Sequence, residues 1–172
     1  MAAIRPTNRE VFFAEDDIIV SKTDLKGRIT YANQVFCHVA GYSERELLGQ
    51  PHSIIRHPDM PRCVFKLLWD QILGGDEVFA YVKNMAKSGD FYWVFAHVTP
   101  SFAPDGKVIA FHSNRRVPAR PAIAAVTPLY AELIRIEAAQ RNGKDALAAG
   151  ARHLNDFVTS TKKPYDELVL AL

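Results

Sequence analysis

The alternation of apolar and polar residues along the chain predicts a β-sheet of five strands. Three of these segments are long, and turns containing Ser-Gly-Asp and Pro-Asp-Gly separate them. A β-branched run nearer the N-terminus leads into a Gly-containing turn and a returning strand, which adds a hairpin. Because the connections within each group are short, the strands joined by them are expected to be antiparallel. The predicted strands are residues 18–20, 28–32, 77–87, 91–102 and 107–117.

Helices are predicted between the second and third strands and again after the fifth. Asn33 is a suitable N-cap for one short helix, and Ser43 with Glu46 forms a capping box for another. This order of elements favours an α+β fold, in which helices pack on one face of an antiparallel sheet. The longer predicted helices are residues 61–73, 123–140 and 144–159.

Pro118 and Pro121 mark a boundary between the predicted sheet and the last helices. Apolar residues then recur at spacings of three and four from Ile123 to Ile136, which indicates one apolar helix face. We expect that face to pack either on the open side of the sheet or on a second chain, and the second case gives a homodimer. The predicted organisation is an N-terminal arm (1–15), a central domain (16–118) and a C-terminal helical extension (119–172).

Composition excludes several classes of protein. Lys plus Arg number 21 and Asp plus Glu number 19, with no block of like charge, so neither nucleic acid nor an acidic membrane surface is expected as a partner. The N-terminal residues do not resemble a signal peptide, and no apolar run reaches the ~20 residues of a membrane helix. Two cysteines, Cys37 and Cys63, are too few for a disulfide framework, and the expected location is the cytoplasm.

Short motifs between residues 18 and 116 resemble the PAS superfamily, small sensory modules that hold a ligand between a five-stranded sheet and short helices. Within it, the chain is similar to the sensory domain of the bacterial aerotaxis-receptor family, and the most specific match is Arg-His-Pro-Asp-Met-Pro at 56–61. That resemblance implies non-covalent FAD and the reporting of redox state. The other matching segments are residues 24–25, 31–33, 41–43, 46–52, 82–84, 87–94 and 125–130.

The resemblance assigns candidate ligand contacts by residue type. The guanidinium of Arg56 suits phosphate, while His57 and Asp59 suit phosphate or ribose oxygens. A local alternative has Asp59 capping the helix near Pro61, with Arg56 on the surface. Asn84 ends the apolar face of a strand, where an amide could meet a flavin ring edge or simply face solvent.

Two tryptophans are further candidates. Trp69 and Trp93 could border a flat cofactor, although the usual place of such side chains is the core. His52 stands where light-oxygen-voltage photoreceptors of the PAS superfamily carry their reactive cysteine, so no flavin–cysteine adduct is expected. The spacing of His52, His57, Asp59 and Cys63 fits no zinc pattern, and no metal site is expected.

The functional hypothesis is a PAS sensor with bound FAD that responds to redox or oxygen-linked state, not an enzyme, since no nucleophile motif is present. The membrane anchor and signalling coiled coil of the aerotaxis receptor have no counterpart in these 172 residues, so we expect the signal to pass to a partner protein by contact. Two alternatives stay open: a haem-based gas sensor, with a ligand from among His38, His97 and His112, and a cofactor-free scaffold module.

Overall fold

The computed structural model describes residues 4–172 and confirms the predicted α+β architecture. A single five-stranded antiparallel sheet carries helices on both of its faces. Its strands are β1 (Ile19–Thr23), β2 (Ile29–Ala32), β3 (Val78–Met85), β4 (Phe91–Phe102) and β5 (Val108–Arg116). The helices are α1 (Gln34–Ala40), α2 (Glu44–Leu47), α3 (Arg62–Gly74), α4 (Arg120–Ala138), α5 (Gly143–Ser160) and α6 (Tyr165–Leu170), with a 3₁₀ turn at His52–Ile55.

The strand order β2-β1-β5-β4-β3 brings the chain's first strand beside its last. The pairings β1–β5, β5–β4 and β4–β3 are all antiparallel. In their register, Ser21 of β1 lies opposite Ser113 of β5, and Asn84 of β3 lies opposite Tyr92 of β4. Because side chains alternate along a strand, each strand sends one set to α3 and the other to the opposite face. We call the side toward α3 the inner face and the opposite side the outer face.

The short helices begin where the capping residues predict. The Asn33 side chain accepts a hydrogen bond from the backbone N–H of Phe36, and Gly41 ends α1 in the left-handed region. Ser43 and Glu46 form the reciprocal capping box at the start of α2. These contacts use residues three positions apart, which explains why local sequence was sufficient to predict them.

The C-terminal helices cover the outer face of the sheet and the outer side of α3. Tyr130 of α4 donates a hydrogen bond of 2.7 Å to the carbonyl of Tyr81, and its ring stacks on Trp93. Val126 and Leu133, from the predicted apolar face, are buried. Helix α5 packs against both α4 and α3. The apolar face of α4 therefore packs on the sheet of its own chain.

The N-terminal segment lies beside the β3–β4 turn. Glu10 forms a parallel bridge with Phe91, and the guanidinium of Arg9 lies 2.7 Å from a carboxylate oxygen of Asp90. Hydrogen bonds from Arg9 and Thr7 lower the pKa of Asp90 to about 2. The first three residues of the predicted 1–15 arm lie outside the described residues. Across residues 4–172, every helix is too short or too polar to cross a membrane.

Candidate ligand-binding cavity

A cavity of about 240 Å³ lies between α3 and the inner face of the sheet. One wall consists of α3 side chains, and the opposite wall consists of side chains from β1, β3, β4 and β5. Its rim includes exposed Lys26 and Ser53, so it reaches the surface there. The apolar lining is formed by Ile55, Phe65, Leu68, Trp69, Ile72, Val82, Ala96, Val98 and Phe111.

Trp69 is held between the β1–β2 turn and the sheet. Its indole meets the ring of Phe111 edge to face, with 5.5 Å between ring centroids. A Cβ placed on Gly27 would come within 2.9 Å of the indole Cζ2 atom, and Gly27 has a φ of +72°. Both the backbone conformation and the space therefore require glycine at this turn. This close approach fixes the tryptophan at the edge of the cavity.

Arg115, on β5, is the most deeply buried charged group on the cavity wall, with 2% of its surface exposed. One guanidinium nitrogen, Nη2, donates a 2.7 Å hydrogen bond to Ser21 Oγ, and the group lies 4.3 Å from the centre of the Phe36 ring. Its Nε and Nη1 atoms have no hydrogen-bond partner within residues 4–172. Burial lowers the pKa of Arg115 to about 10, so the group remains charged at neutral pH.

His52 belongs to the same polar cluster. Its Nε2 atom lies 3.1 Å from Ser21 Oγ. Because arginine can only donate, Ser21 Oγ accepts from Arg115 and has its own proton free for His52 Nε2. Burial, followed by the positive charge of Arg115, lowers the pKa of His52 to about 3. The imidazole is therefore neutral at neutral pH.

Asn84 and Arg56 lie side by side at the free edge of the sheet. Their backbones form an antiparallel bridge, so the segment after the 3₁₀ turn runs along β3. Asn84 is buried and faces the cavity. Arg56 also lines the cavity, and its guanidinium lies 4.0 Å from the centre of the Phe65 ring. The predicted site residues Arg56, Trp69 and Asn84 are thus brought together.

The other three predicted contacts lie away from the cavity lining. His57 is buried, but it follows Arg56 in extended backbone and points the other way, toward Phe91 at 6.0 Å. Asp59 is exposed and pairs with Lys83 at 2.6 Å. Trp93 is paired with Lys83 in the β3–β4 register, which places it on the outer face with Tyr130. None of the three contributes to the lining.

The local alternative for Asp59 is also not observed. The first N–H groups of α3 are bound by Glu137 of α4, whose two carboxylate oxygens accept from Arg62 N at 3.0 Å and Cys63 N at 2.8 Å. Asp59 instead lies beside Lys83, and its backbone N–H donates to His57 Nδ1 at 3.1 Å. The loop is therefore held by contacts to β3, not by capping of the following helix.

Sequence reasoning missed the polar cluster of Arg115, Ser21 and His52. The only sequence signal for Arg115 was a charged residue at an alternating position of a strand whose other inward positions, Phe111 and Ser113, also face the cavity. Arg116 follows it directly and is exposed. Which of the two arginines points inward depends on strand register, and the register was not predicted.

The fold is a small α+β module in which a five-stranded antiparallel sheet and short helices enclose a mostly apolar cavity. The family described as the PAS fold matches residues 29–115, which is half of the chain. The chain belongs to this family.

Two curated relatives extend the comparison. The chain is 42% identical over 127 residues to the aerotaxis receptor of Escherichia coli strain K12, covering 74% of this chain and 25% of that protein. It is 32% identical over 99 residues to a nitrogen fixation regulatory protein of Klebsiella pneumoniae, covering 58% of this chain and 20% of that protein. The chain therefore spans about a quarter or less of the length of either relative.

Solved structures agree on the fold. A light-oxygen-voltage domain studied with a flavin analogue superposes with a TM-score of 0.59 at 18% identity, covering 64% of this chain and 84% of that domain. At this identity the likeness concerns the path of the backbone alone.

Proposed function

We propose that this chain is a PAS sensor that holds FAD non-covalently in the cavity and reports its redox or oxygen-linked state to a partner protein. The observation that carries the proposal is the lining of the cavity. Its walls are aromatic and aliphatic, and all its charged side chains among the described residues are cationic: Lys26, Arg56 and Arg115. Such a cavity suits a flat aromatic ring that bears an anionic tail.

The size of the cavity limits which part of such a ligand it can enclose. Its volume of about 240 Å³ is below the ~300–1,000 Å³ of pockets that enclose a drug-sized molecule. A flavin ring system is therefore the part that would be enclosed, and the phosphates and adenosine would lie toward the exposed rim. The motifs of this chain that resemble the aerotaxis-receptor family imply FAD, and this resemblance favours FAD over FMN.

Flavin, when bound, supplies the electron transfer, and the residues of this chain bind and orient it. Asn84 offers both a donor and acceptors to the polar edge of the ring, and Trp69 with Phe111 forms an apolar wall. Arg56 is placed at the rim side, stacked on Phe65, where a guanidinium can bind phosphate. His57, Asp59 and Trp93 would act on the ligand only through these neighbours.

Helix α3 offers a route from the cavity to the C-terminal helices. Phe65 and Trp69 on one side of α3 line the cavity, while Cys63 and Leu67 on another side border a groove against α5. Glu137 of α4 binds the first turn of the same helix. A displacement of α3 caused by the ligand would therefore change contacts in residues 119–172, which we propose present the signal to the partner.

The test is the absorption spectrum and cofactor content of the purified full chain. We expect flavin bands, with intact FAD released by heat or acid at about one per chain. Arg56→Met should lower the FAD content, whereas Arg45→Met, a change of an exposed arginine on α2, should not. A protein that is colourless and stays so after incubation with excess FAD would refute the proposal.

The same spectrum separates the two alternatives. A Soret band would indicate a haem sensor, and the absence of any cofactor band would indicate a scaffold module. Among the described residues, His52 is the histidine that lines the cavity, whereas the sequence-derived haem candidates His38, His97 and His112 do not. The Nε2 atom of His52 already lies within hydrogen-bond distance of Ser21 Oγ, at 3.1 Å, which favours flavin over a haem bound through this nitrogen.

A further inference from the structure

A second cavity lies on the other side of α3, between this helix and α5, and we call it the α3–α5 groove. Its volume of about 250 Å³ is close to that of the central cavity. Folded proteins contain few internal spaces larger than a water molecule, so a space of this size between two packed helices is exceptional. A cavity of about 150 Å³ lined by aliphatic side chains is already large enough to bind benzene.

Two helical stripes with the same spacing form the groove. Residues separated by three, four and seven positions lie on one side of an α-helix. The stripe on α3 consists of Cys63, Lys66, Leu67 and Asp70. The stripe on α5 consists of Ala151, Leu154, Asn155 and Val158. Seven residues at a rise of about 1.5 Å each make the groove roughly 10 Å long, which suits an elongated molecule such as a bicyclic aromatic.

The lining of the groove has no net charge. Within residues 4–172, its charged side chains are Lys66 and Asp70, which form an ion pair with each other at the rim. Burial, together with a hydrogen bond to Glu137, raises the pKa of Cys63 to about 12, so the thiol is uncharged. Burial also raises the pKa of Tyr165, which adds an aromatic ring from α6 to the lining. In contrast to the central cavity with its cationic side chains, this groove favours an uncharged ligand.

We propose that the α3–α5 groove is a second binding site, which takes a small uncharged aromatic molecule with one hydrogen-bonding group. Leu67, Leu154 and Val158 offer apolar contact to the ring, and Leu154 is buried. The hydroxyl of Tyr165 and the amide of Asn155 offer both donors and acceptors to the polar group. The site goes beyond the proposed function and does not require a bound flavin. Its occupant would contact α3 and α5 together and so stabilise the helix that separates the two cavities.

The test uses indole as the probe, because it is uncharged and bicyclic and carries a single N–H donor. Isothermal titration calorimetry of the full chain should show about one indole per chain, with a dissociation constant of about 0.1–1 mM, as expected for so small a ligand. Indole should also raise the melting temperature. Indole-3-acetate keeps the ring but adds a negative charge, and it should bind roughly 10-fold more weakly because the lining offers no unpaired cation.

A variant that fills the groove locates the site. Ala151→Leu adds apolar atoms to the space between the helices, so it should weaken indole binding by about 10-fold or more and raise the melting temperature of the free protein. Ala148→Leu is the matched control, because Ala148 lies on the same helix but is exposed, and it should leave indole binding unchanged.

Methyl NMR of the wild-type chain gives the location without any variant. Indole should shift the methyl signals of Leu67, Leu154 and Val158 and leave those of Val82 and Val98, which line the central cavity, unchanged. Indole that does not bind up to its solubility limit refutes the site, whereas the proposed flavin site is judged separately by the absorption spectrum. Binding that survives Ala151→Leu, or that shifts only Val82 and Val98, places indole elsewhere and also refutes the inference. If Ala151→Leu does not fold, the methyl shifts of the wild-type chain decide.

Discussion

Replacing Gly150 by alanine should destabilise the protein, although the same change at an exposed position inside a helix is stabilising. Gly150 lies inside α5 and is buried where that helix crosses the start of α3. A Cβ at this position would lie 2.8 Å from Glu137 Oε1 and 3.1 Å from Cys63 Sγ. The Glu137 carboxylate cannot move away freely, because it binds the N–H groups of Arg62 and Cys63.

Whether Gly150→Ala stabilises or destabilises the protein depends on the size of two opposing contributions. Alanine is favoured over glycine inside a helix by about 1 kcal/mol. Displacing Glu137 removes a helix cap worth about 0.5–2 kcal/mol and a favourable carboxylate–dipole interaction worth about 0.3–1 kcal/mol. Contact with the Cys63 sulfur adds further strain. The free energy of unfolding of Gly150→Ala should therefore fall by about 1 kcal/mol, and that of Glu137→Ala by about 1–2 kcal/mol.

The double variant makes this reasoning testable. With Glu137→Ala, the carboxylate no longer blocks position 150 and Cys63 Sγ, at 3.1 Å, is the close contact that remains. Adding Gly150→Ala to that background should therefore no longer destabilise the protein, and the gain should be at most about 1 kcal/mol. Urea unfolding of the four proteins measures this difference. Gly74→Ala is a matched control, because a Cβ there meets nothing closer than 4.0 Å. The reasoning is refuted if Gly150→Ala has the same effect with and without Glu137.

Three further predictions test other parts of the structure. The folded-state pKa of His52 is about 3, against 6.5 ordinarily, so between those values only the unfolded chain gains the proton and stability rises with pH. In urea unfolding at about pH 5 and 6, the free energy of unfolding should rise less steeply with pH in His52→Gln than in wild type, by about 1.4 kcal/mol per pH unit. Equal slopes in both proteins would count against a neutral His52 in the folded chain. Deleting residues 119–172 uncovers Trp93 and Tyr81, so the truncated chain should lose solubility and melt at a lower temperature; a truncated chain as soluble and stable as the intact one would show that the extension is only a tether. Blue light should not change the absorption spectrum of flavin-loaded protein, because Cys37 and Cys63 do not line the cavity and no flavin–cysteine adduct can form there. A reversible bleach of the flavin bands would contradict this.

The fold was predictable because its signals are local. Alternation along β3 to β5, glycine-containing turns, and the caps at Asn33 and Ser43 each depend on residues a few positions apart. The start of α4 was placed three residues late, since Pro121 was taken as a boundary. It lies in the first turn instead, where proline loses no helical hydrogen bond.

The candidate site was predictable only in part. Residue types and the Arg-His-Pro-Asp-Met-Pro string drew attention to the segment at 56–61, but they could not distinguish Arg56, which lines the cavity, from His57, which points away. The difference is one step along extended backbone, and its direction is set by pairing with Asn84 on β3. Trp93 was assigned to the ligand because its register with Lys83 was unknown.

By itself, the sequence determined the five strands, the main helices and the α+β class, because hydrophobic periodicity and turn chemistry act between near neighbours. The tertiary structure alone decided which charges are buried and what caps the start of α3. Arg115 and Arg116 are the same residue type, yet one is buried in the cavity wall and the other is exposed. Glu137 caps a helix that begins 75 residues earlier in the chain. Such contacts exist only after β5 has paired with β1 and α4 has packed on the sheet, so no local pattern records them.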